Sequence, residues 1–240
     1  MEIIDYLKFR LKSVNAHGLH SPFMYQLATQ CFYDKKTYPN YKKLKKYCQS
    51  ENLQNISKLT NTKEIIRKKQ ITHKKIKAFY RLSQYFKPKK IIEWGNSLGC
   101  FTYALKLGNP KAEIINVIDD KNNSNIAVEF ASKKIDVNFV TPDIFFSNIN
   151  NNTSQTFDMI LIDDDINLKM SISELFEKLK KHIHNDTVVI VNNIHRLEKT
   201  QKDWKKIIES QFVRQSVNCF YFGLIFFRKN QFKQNFNIRL

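Results

Sequence analysis

What this chain lacks narrows its class before any motif is read. Its four cysteines, Cys31, Cys48, Cys100 and Cys219, are far apart and show no C-x-x-C or Cys/His ligand spacing. A reducing cytosol and no structural zinc are the default expectation. Long apolar runs are missing too: the longest, Cys219 to Phe227, falls far short of the ~20 residues that a spanning helix needs. The first residues include Glu2 and Asp5 and lack the basic start of a signal peptide. A soluble cytoplasmic protein with no membrane partner is expected. Glycine and proline occur five times each, and arginine is outnumbered by lysine 7 to 33. At 42% hydrophobic, 240 residues can still bury a full core, as one domain with an extension.

The formal charge of +18 is unevenly spread. Residues 1–90 hold 21 Lys and Arg against 5 Asp and Glu, whereas residues 91–240 hold 19 against 17. Lysines interleaved with tyrosines, as from Tyr38 to Tyr47, would suit a phosphate backbone with stacked bases, so nucleic acid is one candidate partner of the N-terminal region. Two facts pull the other way. Sequence-specific readers favour the bidentate fork of arginine, and a Lys-, Asn- and Ile-rich chain is also what AT-skewed coding produces with no partner selected.

The chain is organised around Ile91-Ile92-Glu93-Trp94-Gly95-Asn96-Ser97-Leu98-Gly99, followed by Ile114 to Ile118 and then Asp119 and Asp120. This reads as strand, glycine turn, helix, strand, acid. Such a unit suits a nucleoside: glycine lets a ligand approach the backbone, the helix N-terminus offers free N–H groups, and the second acid can accept from both ribose hydroxyls. The third glycine of the dinucleotide fingerprint is absent, as is the Gly-Lys-Ser/Thr of a P-loop. The acid two residues before Gly95 suits a ligand with a free amino group.

At these residues the chain resembles the class I S-adenosylmethionine-dependent methyltransferases, most closely the small-molecule O-methyltransferase-like branch. It looks most like an uncharacterised bacterial group whose cores read E-L-G-x-S-L-G, F-I-D-G-N-H, D-D-I-H and a closing G-L-V-F-F-R. The counterparts are Glu93 to Gly99, Ile162 to Ile166, Asn192 to His195, and Gly223 to Arg228. The similarity runs from about Lys87 to the C-terminus and extends to the turn His17 to Phe23. It implies an α/β, Rossmann-like methyltransferase fold: a seven-stranded, mostly parallel sheet with a C-terminal antiparallel hairpin, preceded by N-terminal helices. The expected division is a basic helical extension over 1–88 and an S-adenosylmethionine-binding core over 89–240.

Periodicity gives the elements. A short helix over Glu2 to Lys12 places Ile3, Ile4, Leu7 and Leu11 on a docking face. Ser21 and Pro22 open a helix running to about Phe32. His17 and His20 either touch a ligand or a metal, or bond to backbone in a turn fixed by Gly18. Lys35 to Asn61 reads as loop or short helices, and Lys63 to Phe86 as a helix stopped by Pro88. Strands are expected near 90–94, 113–118, 136–140, 157–162, 186–191, 211–217 and 220–228. Helices are expected near 99–108, 122–133, 169–183 and 198–209, the third opening with the capping box Ser171-x-x-Glu174.

Ligands of such sheets lie beyond the carboxyl ends of the strands. The resemblance implies cofactor contacts from Glu93, Gly95, Ser97 and Gly99, a ribose acceptor at Asp119 with Asp120 as alternate, and Asp143 near the adenine amino group. In metal-assisted relatives, acids or amides ending the fourth and fifth strands hold a divalent cation. Here they map to Asp163, Asn192 and Asn193, a single carboxylate with two amides, so a metal is doubtful. Ile166 stands where the related group has His and cannot take a proton. Asp163 and His195 are then the catalytic candidates, His195 either as base or as a residue bonded to backbone. Asp163-Asp164-Asp165 could attract an amine, or its later acids could be solvated.

The expected function is S-adenosylmethionine-dependent methyl transfer to a small-molecule oxygen or nitrogen, resting on proximity to an already activated donor. The alternatives are a catalytically silent binding protein of the same fold, and an RNA methyltransferase using the basic N-terminal region.

Overall fold

The computed structural model describes residues 2–49, 70–95, 97–118, 135–163 and 170–240. Expectations at Asn96, Asp119, Asp120, Asp164, Asp165, Ile166 and the helix near 122–133 lie outside the described residues. The strands are β1 (Lys90–Trp94), β2 (Glu113–Val117), β3 (Asn138–Val140), β4 (Phe157–Ile162), β5 (Ile183–Asn192), β6 (Gln215–Asn218), β7 (Phe222–Phe226) and β8 (Gln234–Asn237). They form one sheet in the order β3-β2-β1-β4-β5-β7-β6-β8. The first five run parallel. β7 enters antiparallel to both β5 and β6, as the short β6–β7 connection requires.

The helices are α1 (Glu2–Lys12), α2 (Pro22–Leu27, widening into a π turn over Ala28–Phe32), α3 (Asn40–Gln49), α4 (His73–Phe86), α5 (Cys100–Gly108), α6 (Pro142–Asn151), α7 (Ile172–Leu179) and α8 (Glu198–Glu209). Local chemistry sets their ends. Ser21 accepts from the Met24 N–H with Pro22 in the first turn, Thr72 accepts from the Lys75 N–H at 3.2 Å, and Ser171 with Glu174 closes a reciprocal capping box.

Because side chains alternate along a strand, the sheet has two apolar faces. Ile91, Leu161 and Ile190 pack with Met24, Phe79 and Phe101 from α2, α4 and α5. Ile92, Ile162 and Val191 face the other way, against Phe145, Phe176 and Trp204 from α6, α7 and α8. Each buried side chain of this kind contributes roughly 1.5–3 kcal/mol, so α2 and α4 are held in the same core as the strands that follow them. α3 buries Leu44, Tyr47 and Cys48 and leaves Lys42, Lys43, Lys45 and Lys46 exposed.

The structure corrects four expectations. An eighth strand pairs parallel with β6; its sequence, Gln-Asn-Phe-Asn, is too short and polar to announce a strand, and only Phe236 is buried. A helix follows β3 where none was expected, opened by the Thr141 cap and Pro142 and anchored by Phe145 and Ile149. α1 docks through Tyr6 and Phe9, whose rings meet Phe220 at 4.9 and 5.5 Å between centroids, and leaves Ile4, Leu7 and Leu11 exposed. α5 is also capped differently from expectation: the Cys100 N–H bonds to Ser97 O and the Phe101 N–H to Ser97 Oγ, both at 3.1 Å. Those two donors are not free.

β7 crosses beneath α8 at Gly223. A Cβ there would lie 2.2 Å from the Trp204 ring, an overlap the packed core cannot absorb. Gly223→Ala should destabilise the protein by roughly 1–3 kcal/mol, lowering the thermal midpoint by several degrees in calorimetry; an unchanged midpoint would refute this contact.

Candidate functional site

The carboxyl edge of the sheet carries polar side chains on the face covered by α4 and α5. Glu93 pairs with Asn116 in register, and one row further out come Gly95, Asp163 and Asn192, continuing the pairings Trp94 with Ile162 and Ile162 with Val191. Phe222, opposite Asn192 on β7, ends the row. Strand order reverses between β1 and β4, since the chain leaves β1 for β2 and β3 and returns to β4. That switch point is where an open α/β sheet splays its loops apart and binds ligands.

Gly95 makes the row possible. Its φ of +119° suits glycine alone, and a Cβ would come within 2.7 Å of Asp163 Cβ. The Gly95 N–H reaches Val117 O at 3.0 Å and the Asp163 N–H reaches Trp94 O at 2.8 Å, so the three strands stay paired to their ends. Gly99, at φ +72°, starts α5.

Glu93 is fully buried and turned into the protein. Ser97 Oγ donates to its Oε1 at 2.8 Å, Thr102 Oγ1 donates to its Oε2, and Asn116 Nδ2 reaches Thr102 Oγ1 at 3.2 Å. The acid therefore staples the glycine turn to α5. Burial raises its pKa from the ordinary 4.5 to about 7, opposed by the hydrogen bonds from Thr102 and Ser97.

Asp163 is also buried, and Asn192 Nδ2 donates to its Oδ1 at 2.6 Å. The Asn192 Oδ1 is buried with no hydrogen-bond partner among the described residues. Asn193, at φ +54°, turns its Oδ1 to the Lys75 ammonium at 2.6 Å. Lys75 is 2% exposed, with its Nζ 6.0 Å from the centre of the Phe101 ring. One amide nitrogen of this trio is turned to the carboxylate and one amide oxygen receives an ammonium, so the donor set does not fit a divalent cation. Among the described residues no group of three His, Cys, Asp or Glu could hold a metal.

The remaining expected residues are dispersed. Asp143 lies exposed in the first turn of α6. His195 stacks on Phe220 at 4.8 Å and has its Nε2 3.0 Å from Asn218 Nδ2, while its Nδ1 is buried without a partner. Burial lowers its pKa, against the opposing pull of Asn218 and Asp5. His17 and His20 are exposed. Lys75 is the residue that sequence reasoning missed. Its signal was a cation in the apolar stripe of α4, four residues before Phe79 and seven before Leu82.

No protein-family model matches the chain, and no curated protein matches its sequence. Solved structures do match. The S-adenosylhomocysteine-bound methyltransferase PaMTH1 of Podospora anserina aligns at a TM-score of 0.60 with 13% identity, over 88% of this chain and 97% of that one. An O-methyltransferase of Bacillus cereus with S-adenosylhomocysteine aligns at 0.57 with 18% identity, over 83% and 97%. TomG of Streptomyces achromogenes, with S-adenosylmethionine, aligns at 0.54 with 14% identity, over 80% and 91%. The chain has the fold of the class I S-adenosylmethionine-dependent O-methyltransferases.

The raised pKa of Glu93 has a signed consequence. Between about 4.5 and 7 the unfolded chain has released this proton and the folded protein keeps it, so the stability it contributes is present at low pH and lost as pH rises through that window. Glu93→Gln should flatten this part of the stability profile in denaturant titrations from pH 5 to 8. Parallel profiles for wild type and variant would show that Glu93 titrates normally.

Proposed function

We propose that this protein is an S-adenosylmethionine-dependent methyltransferase acting on a small-molecule oxygen. The observation that carries the reading is the row Gly95, Asp163, Asn192 at the switch point. It combines a glycine turn with no room for a side chain against Asp163 and a buried acceptor on Asn192 that has no partner among the described residues. That pairing suits a ligand that lies close against the glycine turn and brings hydrogen-bond donors. Structural likeness to proteins solved with S-adenosylmethionine or S-adenosylhomocysteine supports the same reading.

When bound, the cofactor supplies a methyl group already activated on a sulfonium. The chain's own task is then to hold and orient. Gly95 and Gly99 shape the turn, and Glu93 fixes it from beneath through Ser97 and Thr102. Asp119, following β2 in sequence, is the expected acceptor for the ribose hydroxyls, and Asp143 the expected partner of the adenine edge. Asp163 and Asn192 would face the amino-acid end of the ligand, a carboxylate beside a free amide oxygen suiting its ammonium.

Titration calorimetry with S-adenosylhomocysteine tests this. Wild-type protein should bind it. Gly95→Ala, whose Cβ has no room against Asp163, and Asp119→Ala should each weaken binding at least about tenfold, the loss of one or more charged or close contacts. A folded wild-type protein that binds neither S-adenosylhomocysteine nor S-adenosylmethionine would favour a silent binding protein of the same fold.

A further inference from the structure

α1 has two apolar sides, and only one of them is packed. Tyr6 and Phe9 turn inward onto Phe220, beyond the end of β6. Together with Tyr221 and Phe222 these rings line a cavity of about 250 Å³ at the carboxyl edge of the sheet. With about 3.6 residues per turn, Ile4, Leu7 and Leu11 stand on the opposite side of the helix. They are 60%, 54% and 88% exposed. Scattered exposed apolar residues are ordinary, but three in one row on one short helix form a crest that calls for a partner.

Charge narrows the choice of partner. Among the described side chains of α1, the cations Lys8, Arg10 and Lys12 are exposed, the latter two in the last turn beside Leu11. The acid Asp5 is half-buried and close enough to His195 to act on it. A second copy of the chain would set these cations against their own kind, in a molecule of net charge +18. A protein partner matches less well in shape and composition. The crest is convex, its aromatic residues are turned inward, and leucine is under-represented among the side chains that anchor protein interfaces. A bilayer needs no complementary groove. It receives a helix lying flat, with the aliphatic crest in the acyl boundary and the lysine and arginine stems snorkelling to the phosphates.

We propose that α1 is a membrane-contact helix, which lays Ile4, Leu7 and Leu11 into an anionic phospholipid surface with Lys8, Arg10 and Lys12 on its phosphates. The helix has 11 residues, far short of a span, and among the described residues no helix is long and apolar enough to cross a membrane. The contact is therefore peripheral and reversible. It departs from the expectation of no membrane partner, which rested on the missing spanning run. Docked in this way, α1 holds the cavity on its inner side directly behind the lipid surface. Nothing in the contact depends on methyl transfer.

The test is co-sedimentation of the full chain with vesicles of phosphatidylcholine alone and of phosphatidylcholine with an equal part of phosphatidylglycerol. Wild type should bind the anionic vesicles at least about tenfold more tightly than the neutral ones, and added salt should weaken that binding. Because a chain of charge +18 is drawn to any anionic surface, the deciding variants are those in the crest. Leu7→Gln combined with Leu11→Gln, both at exposed positions, should weaken binding to anionic vesicles at least about tenfold. Replacing Lys8, Arg10 and Lys12 by Gln should cost about fivefold for each cation. Phe232→Ser, which removes a ring 90% exposed before β8, should leave binding unchanged. In Leu11→Trp, anionic vesicles should shift the fluorescence to the blue, since Trp94 and Trp204 are buried. Unchanged vesicle binding by the leucine variant, no blue shift, or loss of binding only when Lys42, Lys43, Lys45 and Lys46 are replaced would overturn the proposal. Self-association lost in the leucine variant, without vesicle binding, would make a second copy the occupant. Leucine-dependent binding to polyglutamate without vesicle binding would make it an acidic protein, and either result overturns the lipid assignment.

Discussion

The constraint on which this architecture depends is the missing side chain at Gly95. β1 and β4 run in register to their last residues, and at that point Asp163 stands where a Cβ on the neighbouring strand would be, 2.7 Å from its own Cβ. Only a residue without a side chain, at φ +119°, lets the two strands finish together. With that settled, Asp163 and Asn192 come side by side, α5 starts one turn later at Gly99, and α4 can lay Lys75 against the end of β5. A larger residue would push apart the strands that define the site.

Electrostatics at the edge follows from which face those residues share. Glu93, Asn116, Asp163 and Asn192 occupy alternate positions of neighbouring strands and so point into one layer, beneath helices that exclude water. Acids placed there must be hydrogen-bonded or neutralised. Glu93 meets this with two hydroxyl donors and a pKa raised to about 7. Asp163 meets it with the Asn192 amide. A fixed ammonium from the N-terminal half supplies positive charge at Asn193. Among the described residues the basic N-terminal segment thus enters the site through the buried Lys75, while Lys42, Lys43, Lys45 and Lys46 of α3 remain on the surface.

Much of this was legible in the sequence because the signals are local. The run from Lys90 to Trp94, the alternation in Phe157 to Ile162, the cap at Ser171 and the stop at Pro88 each act through a few neighbouring residues, and the elements appear where they predict. The similarity to methyltransferases reached the fold by the same route, through short blocks at strand ends. β8 escaped notice because Gln234 to Asn237 form a strand only against the open edge of β6. α6 was hidden by asparagines that dilute its period. α1 misled because Ile4, Leu7 and Leu11 form the stronger stripe, yet it is Tyr6 and Phe9 that find rings to pack against.

The sequence by itself determined the order of strands and helices, the glycine turn and the chemistry available at each strand end, since these depend on propensity, pattern and spacing along the chain. Only the tertiary structure decided what those groups face. That Glu93 turns inward to Ser97 and Thr102, that His195 is stacked on Phe220, and that Lys75 meets Asn193, 118 residues away in the chain, are outcomes of packing between distant elements. No pattern in a single segment encodes the partner that folding will bring to it.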